Sequence, residues 1–276
     1  MHSIPIQNEK MPALGFGTYE LRGNDCVEGV KKALAVGYRH VDTAQIYENE
    51  AEVGEGIAKG GVKRSDIFLT TKVWRNHFAG KTVAQSVDES LKKLQTDYVD
   101  LLLVHWPFPD TPIEEMVQGV LAAQKAGKAK LVGVSNFTVA QMEQAKKESG
   151  GKVCVNQVEY HPYLSQNPVL DFVRKNEWAM TSYSPVARGK VLNDATLKEI
   201  GLKYGKNAAQ VTLRWHVQQD RVAAIPKSGT EKNIRANFEI FDFELTADEM
   251  KKISALAKPD GRLIDPDFAP QWDQAA

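Results

Sequence analysis

Cysteine is nearly absent. Cys26 and Cys154 are the only two in 276 residues, and they lie far apart with no CxxC-type spacing. That excludes a disulfide framework and a thiolate metal site, and it fits a reducing compartment. An excess of one charge sign is also missing: lysine plus arginine number 35, and so do aspartate plus glutamate. No global field therefore draws the chain to nucleic acid or to an anionic membrane. No run approaches the ~20 apolar residues of a membrane-spanning helix. The opening MHSIPIQNEK has no apolar core of the kind a secretory signal needs. A cytoplasmic protein without nucleic-acid or membrane partners is the expectation.

Two further absences narrow the chemistry. His2, His40, His77, His161 and His216 stand apart, and neither HxH nor HExxH occurs. A metallohydrolase has little support, and no metal is expected. The pair Gly15-Phe16-Gly17 invites a dinucleotide-fingerprint reading, but Glu20 stands where the third glycine belongs. No helix opens there either, so that reading fails.

What is present is a regular alternation. Ile4-Pro5-Ile6 and Leu14-Gly15-Phe16-Gly17, around the polar tip Asn8-Glu9-Lys10, predict a small hairpin leading into a first strand. Asn24 is placed to cap a helix running to Val36, with Val27, Val30, Leu34 and Ala35 on one face. A strand around Val41 and a helix over 50–59 follow. Strands at 67–73, 98–106, 131–136, 153–158, 179–184 and 222–226 then alternate with helices at 81–94, 113–126, 138–148 and 167–176. Two more helices, at 194–204 and 207–218, precede the last strand, and another runs from 231. The run Val99-Asp100-Leu101-Leu102-Leu103-Val104 is nearly all apolar, as a strand covered on both faces should be. Eight strands with helices between them and no linker predict a (β/α)8 TIM barrel with an N-terminal β-hairpin, one domain over 1–276.

In a barrel, the carboxyl ends of the strands ring one mouth. The polar residues at those ends are Asp42 and Tyr47, Lys72, His105, Ser135 and Asn136, Gln157, Tyr183 and Ser184, then Lys227 and Ser228. Their types suggest a proton donor. A phenol has a reference pKa of about 10. A lysine ammonium beside it would stabilise the phenolate and pull that value down. Asp42 would keep Lys72 charged, and His105 could donate a hydrogen bond to a substrate oxygen or relay a proton. Singly, each has an ordinary alternative: Asp42 as a helix cap, Lys72 as a solvated charge, Tyr47 on the surface, His105 in the core. Four of them at the ends of three neighbouring strands make the joint coincidence a poor account. Together they suit carbonyl reduction.

From the hairpin to the tail, the chain resembles the aldo-keto reductases. The stretch Gly37–Gly54 (GYRHVDTAQIYENEAEVG) resembles the family's first signature in order and spacing. Val104-His105-Trp106-Pro107, Gly133-Val134-Ser135-Asn136-Phe137, Asn156-Gln157 and Ile225-Pro226-Lys227-Ser228 resemble later ones. The resemblance implies Tyr47 as general acid, Lys72 and Asp42 as its tuning pair, and His105 as the orienting donor. It implies NADPH as cofactor, with NADH use left open. Ser135, Asn136 and Gln157 would hold the nicotinamide carboxamide, and Tyr183 would stack on the ring. Ser184 and Val186 would approach the pyrophosphate. Lys227, Ser228, Thr230 and Asn237 would surround the adenosine 2′-phosphate and adenine, where a helix N-terminus favours an anion. One position departs: Asn233 stands where the family usually has an arginine, with Lys232 and Arg235 as substitutes or as a plain charged helix face.

Tyr19, Trp74 and Trp106, with Trp272 as a further candidate, would wall the substrate side. The tail Gly261–Pro266 through Ala269–Asp273 and the short loops resemble bacterial 2,5-diketo-D-gluconate reductases, which implies small ketoacids and 2-oxoaldehydes such as methylglyoxal as substrates. A monomer is expected, with a small carbonyl compound as its partner. Two rivals stay open: a Schiff-base aldolase using Lys72, which would need a neutral amine, and a catalytically weak nucleotide sensor resembling the barrel β-subunits of potassium channels.

Overall fold

The protein's structure, a computed structural model, describes residues 2–78 and 83–274. It opens with an antiparallel hairpin, β1 (Ser3–Ile6) and β2 (Glu9–Pro12), in which Ile4 faces Met11. Ile4, Ile6 and Met11 are buried, and Thr181 Oγ1 meets Met11 Sδ at 3.9 Å. The hairpin thus packs its apolar side against the barrel.

Eight parallel strands follow and pair in chain order: β3 (Phe16–Gly17), β4 (His40–Asp42), β5 (Phe68–Val73), β6 (Val99–Val104), β7 (Ala129–Ser135), β8 (Val153–Glu159), β9 (Ala179–Tyr183) and β10 (Val222–Ala224). The sheet curls until its edges meet. Gly15 N donates to Ala224 O at 2.9 Å, Ala224 N to Ala13 O at 2.8 Å, and Gly17 N to Pro226 O at 3.1 Å. The glycine pair that suggests a phosphate loop has this role instead. A Cβ on Gly17 would lie 2.7 Å from Ile225 O, and one on Gly15 would lie 2.8 Å from the His40 ring. Only glycine lets the seam close. The result is the expected (β/α)8 barrel.

Every residue of β6 is buried. Its one charge, Asp100, is neutralised by Arg64 Nη2 and Lys130 Nζ, each at 2.8 Å, and accepts from Leu69 N at 3.0 Å. Truncating a buried leucine such as Leu102 to alanine would cost roughly 2–5 kcal/mol.

Among the described residues the helices are α1 (Gly23–Val36), α2 (Glu50–Lys59), α3 (Val83–Leu94), α4 (Ile113–Lys125), α5 (Val139–Glu148), α6 (Asn167–Lys175), α7 (Ala195–Tyr204), α8 (Ala208–Val217), α9 (Glu231–Phe238) and α10 (Ala247–Ser254). Residues 81 and 82, expected to open α3, lie outside the described residues. Asn24 does not cap α1: the helix opens two residues earlier, at Gly23, with Arg22 at the N-cap making no side-chain cap bond. The Arg22 guanidinium reaches instead to the backbone carbonyls of Leu21 and Tyr47. Beyond the elements read from the sequence lies α10, opened by a capping box in which Thr246 and Glu249 satisfy each other's backbone amides. Among the described residues, no helix is long and apolar enough to cross a membrane.

Candidate active site

The strand register delivers Asp42 and Lys72 to one point. Asp42 ends β4, and Lys72 lies on the neighbouring β5 with its side chain wholly buried. Lys72 Nζ reaches Asp42 Oδ1 at 2.5 Å, donates to Thr43 O at 2.8 Å and lies 3.4 Å from Tyr47 Oη. Tyr47 ends a single 3₁₀ turn (Gln45–Tyr47), so the chain folds the phenol back over the lysine. Gln45 secures that turn: its Nε2 meets Ser86 and Ser90, and its Oε1 accepts from Trp74 N at 2.9 Å. His105, the first residue beyond β6, packs edge-on to Tyr47 at 5.8 Å and to Trp74 at 5.2 Å between ring centroids. The expected four residues are therefore assembled.

Their electrostatics differ from expectation in one respect. Burial, followed by the charge of Asp42, pushes the Tyr47 phenol well above its ordinary value rather than down. Lys72 gives its shortest contacts to Asp42 and Thr43, so its pull on the phenol is the weaker effect. Burial also lowers Lys72, with Asp42 opposing it, and pushes the His105 imidazole well down with help from the Lys72 charge. Tyr47 and His105 are thus both neutral at physiological pH. The Nδ1 of His105 is buried with no hydrogen-bond partner among the described residues. Cys26 and Cys154 are buried and pushed up to about 12, so both are protonated thiols.

A crevice of about 710 Å³ opens above this cluster. Asp42, Tyr47 and His105 line its floor; Asn136, Gln157, Tyr183, Ser184 and Val186 line one limb, which continues to Lys227, Ser228 and Asn237. Asn136 is a junction: its Nδ2 donates to His105 O at 3.0 Å and Ser135 Oγ at 3.1 Å, and its Oδ1 accepts from Tyr183 Oη at 2.8 Å. Ser135 lies behind the wall, donating to Gln157 O at 2.8 Å. Thr230 does not face the crevice either; its hydroxyl caps α9 by accepting from Asn233 N. Asn233 itself lines the crevice. The limb fits a phosphate-bearing dinucleotide. Ser184, Ala187, Arg188 and Gly189 all have left-handed φ, a backbone that turns amides toward one side. The N-terminus of α9 and Lys227 add positive character.

The other limb is aromatic. Tyr19, Trp74 and Trp106 line it as expected. Trp272 does not. It packs 6.0 Å from Trp106, under the Arg262 guanidinium, with Nε1 on Asp265 Oδ1 at 2.8 Å. The tail residues that do line the crevice are Ile264, Pro266 and Phe268, which sequence reasoning missed. Ile46, Leu192 and Glu20 are further additions to the rim. The exposed apolar Ile46 and Leu192 carry no sequence signal of their own, and Phe268 lies inside the tail that resembles the diketogluconate reductases.

A barrel with a buried lysine–carboxylate pair under a phenol defines an oxidoreductase class. The chain belongs to the Aldo/keto reductase family, whose model matches residues 13–258. It is similar to the methylglyoxal reductase DkgB of Escherichia coli O157:H7, at 40% identity over 267 residues covering 95% of this chain and 99% of that protein. Among solved structures it is similar to a crystal structure of a candidate 2,5-diketo-D-gluconic acid reductase B, at 49% identity and a TM-score of 0.97, covering 99% of this chain and 98% of that one. It also resembles a mutant of Gox0644 in complex with NADPH, at 34% identity and a TM-score of 0.89, covering 96% of each chain. The chain is an oxidoreductase of carbonyl compounds that uses a nicotinamide cofactor.

Proposed function

We propose that this protein is a monomeric cytoplasmic enzyme, one barrel domain over residues 1–276, that reduces small aldehydes and ketones with NADPH. Its substrates would be 2-oxoaldehydes such as methylglyoxal and ketoacids like 2,5-diketo-D-gluconate, in keeping with the names of its relatives. The observation that carries the reading is the bonded cluster of Asp42, Lys72 and Tyr47 at the floor of a crevice that runs on to the N-terminus of α9.

The nicotinamide cofactor, when bound, supplies the hydride to the carbonyl carbon. Asn136, Gln157 and Tyr183 would hold its nicotinamide end, with Ser135 bracing them; Ser184 and Val186 would meet the pyrophosphate. Lys227, Ser228 and Asn237 would meet the phosphorylated adenosine, with Thr230 capping the α9 N-terminus that follows Lys227 and Ser228. Tyr47 gives its proton to the carbonyl oxygen as negative charge gathers there. A phenol raised by burial keeps that proton until negative charge on the oxygen makes it basic enough to take it. Lys72 then stabilises the phenolate left behind, and Asp42 keeps the lysine charged against desolvation. Neutral His105 donates one N–H to the same oxygen and orients it.

The Schiff-base reading finds no support in this geometry: Lys72 is buried, ion-paired to Asp42 and absent from the crevice lining. Oxidation of NADPH and of NADH, each with methylglyoxal and with 2,5-diketo-D-gluconate, tests the proposal. Turnover with NADPH and little with NADH is the expected result. Comparable rates would remove the cofactor preference despite Lys227, and no turnover across a wider carbonyl panel would favour a nucleotide sensor.

A further inference from the structure

Glu159, the last residue of β8, takes no part in the chemistry above, yet it is fully buried at 0% exposure. Both carboxylate oxygens are engaged. Oε1 accepts from Leu263 N at 2.7 Å and lies 2.9 Å from His161 Nε2, while Oε2 accepts from Ile264 N at 2.9 Å. Two of these donors are main-chain amides of the tail, more than a hundred residues further on. A buried carboxylate is costly unless strong bonds compensate it, and bonds from N–H groups to a charged oxygen are of that kind.

The tail held in this way walls the aromatic limb. Ile264 in the clamp, and Pro266 and Phe268 just past it, line the crevice. The Phe268 ring lies 6.2 Å from Trp74, whose ring is 5.2 Å from His105. Phe268 is thus one ring removed from the proton-donating cluster. The segment is tied on both sides of the wall. Before it, Gly261 runs so close to Tyr163 O that no side chain fits there, and Lys258 N donates to the same carbonyl at 3.0 Å. After it, Asp273 Oδ2 accepts from Val139 N, the first residue of α5, at 2.9 Å. Of the ties to the barrel, the Glu159 clamp grips the wall's own start, while the Trp272 Nε1 bond to Asp265 lies within the tail itself.

We infer that Glu159 is a positioning residue for substrate selection: by holding the Leu263 and Ile264 amides, it sets where Ile264 and Phe268 stand. The inference rests on the reading of the crevice as a carbonyl-reducing site. A carbonyl compound with a bulky apolar arm meets that wall; a three-carbon one does not reach it. Glu159 therefore governs discrimination between the two.

Wild-type turnover of methylglyoxal and phenylglyoxal tests the reading of the reaction, and Glu159→Gln tests the inference. In that variant kcat/KM for phenylglyoxal falls by about tenfold or more, chiefly through KM, on the scale at which pocket contacts discriminate substrates. Methylglyoxal kinetics change by less than about threefold, below what one lost apolar contact costs. The Kd for NADPH, read from tryptophan fluorescence, stays the same. Phe268→Ala shows the same split, and the double variant loses no more than Phe268→Ala alone, because one residue acts through the other. Equal losses for both substrates, weaker NADPH binding or additive losses in the double variant would overturn the inference. If Glu159→Gln does not fold, Leu263→Pro removes one donor and leaves the carboxylate its other partners; the same split is expected there, and its absence counts equally against the inference.

Discussion

Gln157 Nε2 donates to Asp42 Oδ2 at 2.7 Å, while Lys72 Nζ holds the other oxygen, Oδ1, at 2.5 Å. The carboxylate that keeps the lysine in place is therefore itself kept in place by a residue of the cofactor limb, 115 positions along the chain. A residue serving only the cofactor would alter only its binding. Gln157→Leu should instead raise KM for NADPH and lower kcat as well, because Asp42 loses a donor. A hydrogen bond to a charged group is worth roughly 1.5–3 kcal/mol, so kcat should drop about tenfold or more. Saturating NADPH is the decisive condition: if it restores wild-type kcat, the bond has no part in catalysis.

Tyr47→Phe removes the proposed acid and little else, since the ring still packs 5.1 Å from Tyr19 and 5.8 Å from His105. General acid catalysis contributes typically ~10²–10⁴-fold. Turnover should fall by at least the lower figure while NADPH affinity holds, as measured by single-turnover oxidation beside a fluorescence titration. Retained turnover would move the proton to another donor.

The barrel was legible because its signals are local and repeated. Strands such as the buried run of β6 alternate with helical periodicities along the chain, and any one can be read without the others. Asp42, Tyr47, Lys72 and His105 were legible once the strand ends were located, because a barrel brings those ends together. What escaped depends on pairings between distant segments. Nothing in the residues around Glu159 marks Leu263 and Ile264 as its partners, and nothing around Gln157 marks Asp42. The direction of the Tyr47 shift escaped for a related reason. Adjacency to Lys72 is visible in register, but the burial that outweighs it is a property of the assembled site. Gly15 and Gly17 show the converse: a local pattern suggests one role, and the seam with Ile225 supplies another.

Lys227 carries the cofactor preference in this proposal, and it has a neighbour of opposite charge. Its Nζ lies 3.7 Å from Glu20 Oε2, in a pair that is largely solvent-exposed, so the pair adds little to stability. Its consequence is for binding, since a phosphate arriving at Lys227 meets the Glu20 carboxylate too. Lys227→Ala should raise KM for NADPH far more than for NADH, whereas Glu20→Gln should lower KM for NADPH and leave NADH unchanged. Both differences should shrink as salt rises, because exposed charges are screened. Steady-state kinetics with each cofactor at two ionic strengths checks this, and equal effects on NADPH and NADH would locate 2′-phosphate recognition elsewhere.

His216 makes stability depend on pH in a direction the structure determines. It is fully buried in α8, with Nδ1 2.8 Å from Thr212 O and Nε2 3.1 Å from Tyr160 O. Burial outweighs those two carbonyls and lowers its pKa from 6.5 to about 4. Above the unfolded value of about 6.5, both states hold the ring neutral. As pH falls from there to about 4, the unfolded chain takes up a proton that the folded chain refuses, so stability is lost throughout that window and the loss stops below it. The two pKa values imply a total on the order of 3 kcal/mol. His216→Gln should be less stable than wild type at pH 7.5, and the gap should narrow by that order as pH approaches 4. Urea unfolding of both proteins across the window measures it. A gap that stays constant would mean that the buried ring is not the group that titrates.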